Sequence, residues 1–221
     1  LSSLIMSEAL PNTEPTPTRA GRPKSDSKRM AIMRAATGHF MSEGYERTSM
    51  DAIATAAGVS KQTVYSHFAN KDALFRECIL TKIRRYGLDM KDFADETPLR
   101  EVLETTARRF LDLLSDEDVV SMYRLLIAET TAFPKLSYAF WETGPEQTLA
   151  AISHVLSERS ARGECQIDDP KRAASDFLCL VESHYLKRRL MRHMTDIDPD
   201  EREAHVTRCV DQVLRLHDHR G

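Results

Sequence analysis

The segment AGVSKQTVYSHFANK, residues 57–71, is a short stretch with many hydrogen-bonding side chains and few apolar ones. Its apolar anchors are Val59, Val64 and Phe68. Gly58 permits a left-handed turn, and Ser60 is a favoured N-cap for a helix over 61–68. Core helices are rich in Leu and Ile, whereas this helix would project polar groups outward. The segment therefore predicts a short helix that contacts a polar surface.

The residues on either side predict the remaining helices of a helix-turn-helix. Helices are expected at about 27–43, 50–57 and 71–89, with Thr48 or Ser49 as the cap of the second. A helix of two turns cannot bury a full apolar stripe, so the two short helices must pack crosswise on their longer neighbours. In that arrangement the second short helix is presented to the major groove of DNA.

The alternative is a pair of helices whose polar face contacts only water, and the distribution of charge argues against it. Residues 19–85 contain 13 Lys and Arg against 6 Asp and Glu, whereas residues 86–221 contain 18 against 26. An asymmetry of this kind indicates a module that binds a polyanion, joined to a module with a different task.

The whole chain is expected to be all-α, because no alternation of Val, Ile and Thr indicates strands. We expect a disordered, basic and Pro-rich arm over 1–27, a three-helix DNA-binding domain over 28–75, and a C-terminal effector-binding and dimerisation domain over 90–221. The fourth helix would link the two domains to about residue 89. In the arm, Arg22 and Lys24 flank Pro23. Either Arg22 enters an A·T-rich minor groove, or the arm adds non-specific attraction to phosphates.

Residues 35–75, AATGHFMSEGYERTSMDAIATAAGVSKQTVYSHFANKDALF, resemble the DNA-binding domain of the TetR/AcrR family of transcriptional regulators. The resemblance extends through the Gly44-Tyr45 turn, the Gly58 turn and the start of the fourth helix. It implies an α-helical homodimer, usually a repressor, that leaves a palindromic DNA operator when a small molecule enters the C-terminal domain.

The resemblance and the outward positions of the third helix together indicate which side chains bind DNA. They are Ser49, Ser60, Lys61, Gln62, Thr63, Tyr65, Ser66, His67 and Lys71, with Arg22 and Lys24 in the arm. Asp51 stands where some family members use an arginine to read a base. A carboxylate cannot make that contact, so we assign Asp51 to capping the second helix.

The C-terminal half is predicted to hold a cavity for a small apolar or aromatic effector. Residues 124–175 resemble the ligand domain of the AefR-like subgroup, a resemblance that implies control of efflux or detoxification genes. Most aromatic residues of the chain lie between 90 and 190, where they pack a core or line a largely apolar pocket. The candidates for ligand contact are Phe93, Phe110, Met122, Tyr123, Leu126, Glu129, Trp141, Phe177 and His184.

Two helices near the C-terminus are predicted to form the dimer interface. A long helix over 171–193 is apolar around much of its middle, and the last helix carries one apolar stripe. Two such helices that meet their symmetry mates form a four-helix interface. The interface residues are expected to be Phe177, Val181, Tyr185, Val206, Val210, Val213 and Leu214.

The sequence contains no pattern that indicates catalysis, a metal site or a cofactor. GxSxG, HExxH and Walker-type spacings are absent, so we expect no enzyme. The four cysteines form no CxxC pair, which favours a reducing, cytoplasmic location. No apolar run reaches the roughly 18–20 residues that a membrane span needs. The alternatives to a ligand-responsive repressor are an architectural DNA-binding protein without an effector, a helical enzyme, and an activator.

Overall fold

The computed structural model describes residues 22–183, 185–193 and 198–217, and within them the chain forms helices and no strand. The helices are α1 (Arg22–Glu43), α2 (Met50–Ala56), α3 (Lys61–His67), α4 (Lys71–Arg85), α5 (Leu99–Ser115), α6 (Glu117–Glu129), α7 (Pro134–Thr143), α8 (Pro145–Ala161), α9 (Pro170–Glu182), α10 (Tyr185–Leu190) and α11 (Pro199–His217). The expectation of an all-α protein is confirmed.

Short polar side chains begin the helices that carry the N-terminal half. Ser49, Ser60 and Asn70 lie at the N-caps of α2, α3 and α4, and each accepts a hydrogen bond from the backbone N–H three residues later. Such caps satisfy N–H groups that have no partner within the helix. Gly58 has a φ of 65°, which lets the chain turn between α2 and α3 without the steric cost that a Cβ would bring.

The first apolar core joins α1, α2, α3 and α4. Three aromatic rings lie at its centre: Phe40, Tyr45 and Phe75 have ring centroids 5.3 to 5.6 Å apart. The same core includes Met122 and Leu126 of α6 and Leu136 of α7. The N-terminal helices are therefore packed on the C-terminal half through shared apolar side chains, in addition to the covalent link through α4.

The second core lies between α5, α8, α9 and α11. It includes six of the seven residues predicted for the dimer interface: Phe177, Val181, Tyr185, Val206, Val210 and Val213 are each at most 2% exposed. That prediction is wrong for these six residues, because the apolar stripes of α9 and α11 pack against each other and against α5 of the same chain. Leu214 is half-buried against this core.

Two predicted segment boundaries are also wrong. The helix predicted over 171–193 is broken, because Ser183 has a φ of 40° and a ψ of −123°, and α9 ends at Glu182. The first helix begins at Arg22 rather than at the end of a disordered arm, so residues 22–27 are helical. Pro23 is compatible with this start, since proline is tolerated in the first turn of a helix. Residues 1–21 lie outside the described part.

No helix in the described residues is both long enough and apolar enough to cross a membrane.

Two glycines test whether the turn at Gly58 depends on backbone conformation. Gly58→Ala is expected to lower the free energy of unfolding by about 1 kcal/mol, because an alanine there keeps a positive φ. Gly38→Ala is the matched control, since Gly38 lies inside α1 and a Cβ there meets no atom within 4 Å. It is expected to raise stability by about 0.5–1 kcal/mol. Urea unfolding at one protein concentration measures both, and a loss in both variants would contradict the conformational argument.

Candidate nucleic-acid interface and ligand cavity

The exposed face of α3 carries the polar side chains that the sequence singles out. Lys61, Gln62, Tyr65 and Ser66 are exposed, and Thr63 and His67 are half-buried. Tyr65 is 46% exposed, a high value for a large aromatic residue. Val64 is the buried residue of α3. One apolar side chain therefore anchors α3 in the core, and the polar side chains are directed toward the molecular surface.

The hydroxyl groups around α3 already form hydrogen bonds within the chain. The Ser60 and Thr63 hydroxyls lie 2.9 Å apart, and the Ser66 hydroxyl donates to the Thr63 carbonyl at 2.7 Å. Ser49 accepts from the Ala52 N–H as the cap of α2. Gln62 and Tyr65 form no side-chain hydrogen bond within the described residues, so their polar atoms are available to a ligand.

Lys61 is paired with Asp51 across the turn between α2 and α3. The Lys61 ammonium lies 2.8 Å from the Asp51 carboxylate, and this hydrogen bond raises the pKa of the lysine. Asp51 therefore pairs with Lys61, while Ser49 supplies the cap of α2, and the assignment of Asp51 to capping is wrong. Both side chains are more than half exposed, so an approaching phosphate competes with an ion pair that water already weakens.

Lys71 has a different position from the one expected of a phosphate contact. Its ammonium donates to the backbone carbonyls of Tyr45, Glu46 and Thr48 at 2.8, 3.2 and 3.1 Å. It also lies 4.3 Å from the centroid of the Tyr45 ring. A lysine has three N–H donors, and all three are directed at these carbonyls. Lys71 therefore fastens the turn between α1 and α2 to the start of α4.

Tyr45 makes a second contact at the same junction. Its hydroxyl donates to Asp72, and burial together with this carboxylate raises the pKa of the phenol.

Two further predicted DNA contacts, Arg22 and Lys24, belong to the first turn of α1. A helical backbone there does not match the extended conformation expected of a minor-groove arm.

A cavity of about 290 Å³ lies between α4 and the C-terminal helices. It is lined mainly by apolar atoms from α4, α5, α6, α7, α8 and α9. Four of the predicted contact residues line it, namely Phe110, Met122, Tyr123 and Trp141. A mainly apolar hollow with a few polar groups is the usual form of a small-molecule site.

Four other predicted ligand contacts lie elsewhere. Leu126 is buried in the first core and Phe177 in the second. Phe93 packs against the Arg109 guanidinium, 4.9 Å from its ring centroid. Glu129 reaches the turn at Gly44, where an added Cβ would lie 2.6 Å from one of its carboxylate oxygens. His184 lies outside the described residues.

Sequence reasoning missed the contribution of α4 to the cavity. Cys78, Ile79, Lys82 and Ile83 line it, at positions that recur on one face of the helix. The signal was present, since these residues continue the apolar stripe of α4 beyond the part that the helix-turn-helix needs. Thr148, Leu149, Leu178 and Glu182 were missed as well, because their contribution depends on how α8 and α9 pack.

The charged groups at the cavity differ in how they are paired. Lys82 donates to Asp116 at 2.7 Å and to Asp118 at 2.8 Å. Burial of the Asp116 carboxyl favours its neutral form, but the hydrogen bonds from Lys82 and Tyr86 outweigh it and lower its pKa. Burial raises the pKa of Tyr123 to about 12, and the negative charge of Glu182 adds to this rise. Burial also raises the pKa of Glu182.

Comparison with known proteins finds a matching protein family for each half of the chain. Residues 32–78 match the bacterial regulatory proteins of the tetR family, and residues 101–218 match the C-terminal domain of AefR-like transcriptional repressors. The uncharacterized HTH-type transcriptional regulator YhgD of Bacillus subtilis is 40% identical over 72 residues, a match that spans 33% of this chain and 36% of YhgD.

Two further comparisons cover nearly the full length. The HTH-type transcriptional regulator EthR of Mycolicibacterium smegmatis is 30% identical over 204 residues, 91% of this chain and 93% of EthR. The structure of the flavonoid-responsive regulator FrrA has a TM-score of 0.71 and 32% identity, over 89% of this chain and 100% of FrrA.

Substitution of two lysines distinguishes a lysine that stabilises the fold from one that lies at the surface. Lys71→Met is expected to lower the free energy of unfolding by about 1.5–3 kcal/mol, because it removes a charged donor from three carbonyls. Lys61→Met removes a lysine that is paired only at the surface and is expected to leave stability unchanged. Thermal and urea unfolding of both variants provide the comparison. Equal stability of the two would remove the structural role of Lys71.

Proposed function

The chain belongs to the TetR family of bacterial transcriptional regulators, and from this premise we propose a ligand-controlled repressor. In this proposal a homodimer places the two α3 helices in successive major grooves of a palindromic operator. A small apolar or aromatic effector then enters the cavity and lowers the affinity for DNA. Proteins of this family are regulators, so the chain is not an enzyme.

The observation that carries the proposal is that one helix belongs to both sites. The N-terminus of α4 is held to the helix-turn-helix by Lys71 and by Leu74, which is fully buried in the first core. Two turns later the same helix lines the cavity with Cys78, Ile79 and Lys82. A helix is stiff over such a length, so a ligand that displaces its second half also displaces its first.

Contacts with Asp116, Thr143 and Gly144 connect α4 to the ends of α6, α7 and α8, which form other walls of the cavity. Lys82 binds Asp116, the cap of α6, and Arg76 donates to the Thr143 hydroxyl at 2.9 Å. Gly144 lies against Ile79, since an added Cβ there would be 3.4 Å from the Ile79 side chain. A ligand between these walls acts directly on the groups that set the position of α4.

In this proposal the ligand weakens operator binding because DNA fixes the spacing of the two half-sites. Half-sites on one face of DNA are separated by about 34–36 Å, and both reading helices must match that spacing together. A shift of α4 in each protomer changes the separation of the two α3 helices, so a ligand that favours the shifted state weakens operator binding. We further propose that the regulated genes serve efflux or detoxification, in line with the AefR-like C-terminal domain.

The proposed function is tested by selecting bound duplexes from a random DNA library with the purified protein. A recovered palindrome with half-sites about one turn apart is the expected result. Sedimentation of the complex should then give two protomers for each duplex. Recovery of unpatterned DNA would favour an architectural DNA-binding protein. Because FrrA is flavonoid-responsive, the flavonoid naringenin is a suitable first compound for release of the selected operator.

The reading role of α3 is tested with two exposed tyrosines. Tyr65→Ala is expected to weaken binding of the selected operator by about 1–3 kcal/mol, because it removes a hydroxyl and a ring from the face of α3. Tyr138→Ala is the control, since Tyr138 is 69% exposed but lies on α7. Fluorescence anisotropy with labelled operator measures both. Loss of affinity in Tyr138→Ala as well, or in neither variant, would exclude α3 as the reading surface.

A further inference from the structure

The cavity wall has an excess of acidic groups. Its charged lining residues are Asp118, Glu146, Glu182 and Lys82, so three carboxylates face one ammonium. Lys82 is not free, because it is held between Asp116 and Asp118 at 2.7 and 2.8 Å. With this cation neutralised, the remaining charge along the described wall is negative. An effector that carries a negative charge would therefore be repelled, and one with a positive charge would be attracted.

Glu182 is the acidic group best placed to contact a bound molecule. It lies at the C-terminal end of α9, is half-buried, and forms no hydrogen bond or ion pair with any described residue. The charge of Lys187 on α10, which is exposed, opposes the rise of the Glu182 pKa that burial causes. A carboxylate that is half removed from water and has gained no partner is destabilised in its charged form. A bound cation would remove that destabilisation.

The remaining polar and aromatic groups suit the same kind of ligand. Phe110, Tyr123, Phe140 and Trp141 all line the cavity, and the rings of Tyr123 and Phe140 meet edge to face with centroids 5.1 Å apart. The faces of aromatic rings attract cations as well as hydrocarbon. The aromatic wall thus accepts both the apolar body and the charged group of an organic cation.

We propose that the cavity selects organic cations, namely apolar or aromatic amines whose ammonium group pairs with Glu182 while the hydrocarbon part packs against the aromatic wall. The proposal rests on the proposed function, because it names the chemical class of the effector for the same cavity. It differs from a purely hydrophobic site in that ligand charge, and not size alone, decides binding.

Three probes of one shape test this selection: 4-phenylbutylamine, 4-phenylbutanol and 4-phenylbutyrate. They share a phenyl ring and a four-carbon chain and end in an ammonium, a hydroxyl or a carboxylate. Trp141 is the single tryptophan of the chain and lines the cavity, so quenching of its fluorescence reports binding. The amine is expected to bind about tenfold more tightly than the alcohol, and the carboxylate more weakly than either.

The role of Glu182 is tested by Glu182→Gln, which keeps the shape of the side chain and removes its charge. This variant is expected to bind the amine and the alcohol equally. Glu158→Gln is the control, because Glu158 is an exposed acid of α8 outside the cavity lining. It should keep the preference of the unmodified protein. A preference that survives in Glu182→Gln would overturn the assignment to this carboxylate.

The outcomes separate this inference from the proposed function. Equal binding of all three probes by the unmodified protein, or preference for the alcohol, overturns cation selection and leaves a ligand cavity in place. Failure of all three to bind overturns cation selection, and release of the selected operator by naringenin then decides whether the cavity is a ligand site. Release of the selected operator is measured separately, so an amine that binds without releasing DNA confirms the selection and contradicts the regulatory mechanism.

Discussion

A helix of seven residues with one buried side chain cannot hold its own position. This constraint applies to α3, where Val64 enters the core and the other side chains face outward or lie partly covered. Its stability must come from the Ser60 cap, from the turn at Gly58 and from the core built by α1 and α4. The polar face of α3 is available for recognition because other elements supply the packing.

The same dependence explains why α4 is central to the molecule. Lys71 ties its first turn to the turn between α1 and α2, Asn70 caps that first turn, and the apolar stripe of α4 enters the first core. Since Met122 and Leu126 of α6 pack in that core as well, a displacement at the cavity acts on shared side chains as well as on the covalent link. In the proposed mechanism, these are the two routes from the cavity to α3.

The cavity combines two opposite preferences in one wall. Apolar and aromatic groups from six helices form most of the wall, and a charge beside them interacts more strongly than it would in bulk water. The charge of Lys82 is balanced by two carboxylates, whereas Glu182 has no charged partner among the described residues. The contrast between a satisfied lysine and an unsatisfied glutamate is what gives the cavity a chemical bias beyond its size and shape.

The sequence alone determined the helix-turn-helix, because its signals are local. A cap lies within three residues of the N–H it satisfies, a glycine marks its own turn, and Val64 and Phe68 show which face of α3 is buried. For the same reason the sequence predicted a cap for α2 and for α3, and it predicted the polar face of α3. The four cavity residues found from the sequence were aromatic or sulphur-containing residues in a segment rich in them.

Only the tertiary structure decided which apolar stripe faces which partner. Val206, Val210 and Val213 have the spacing of an interface helix, yet they are fully buried within one chain. An apolar stripe in the sequence indicates that a helix face is buried, but it does not indicate which partner buries it. Lys71 likewise has the position of a phosphate contact in the sequence, whereas its hydrogen bonds lie within the chain. Residues far apart in the sequence, such as Lys82 and Asp116, form a pair only once the helices are packed.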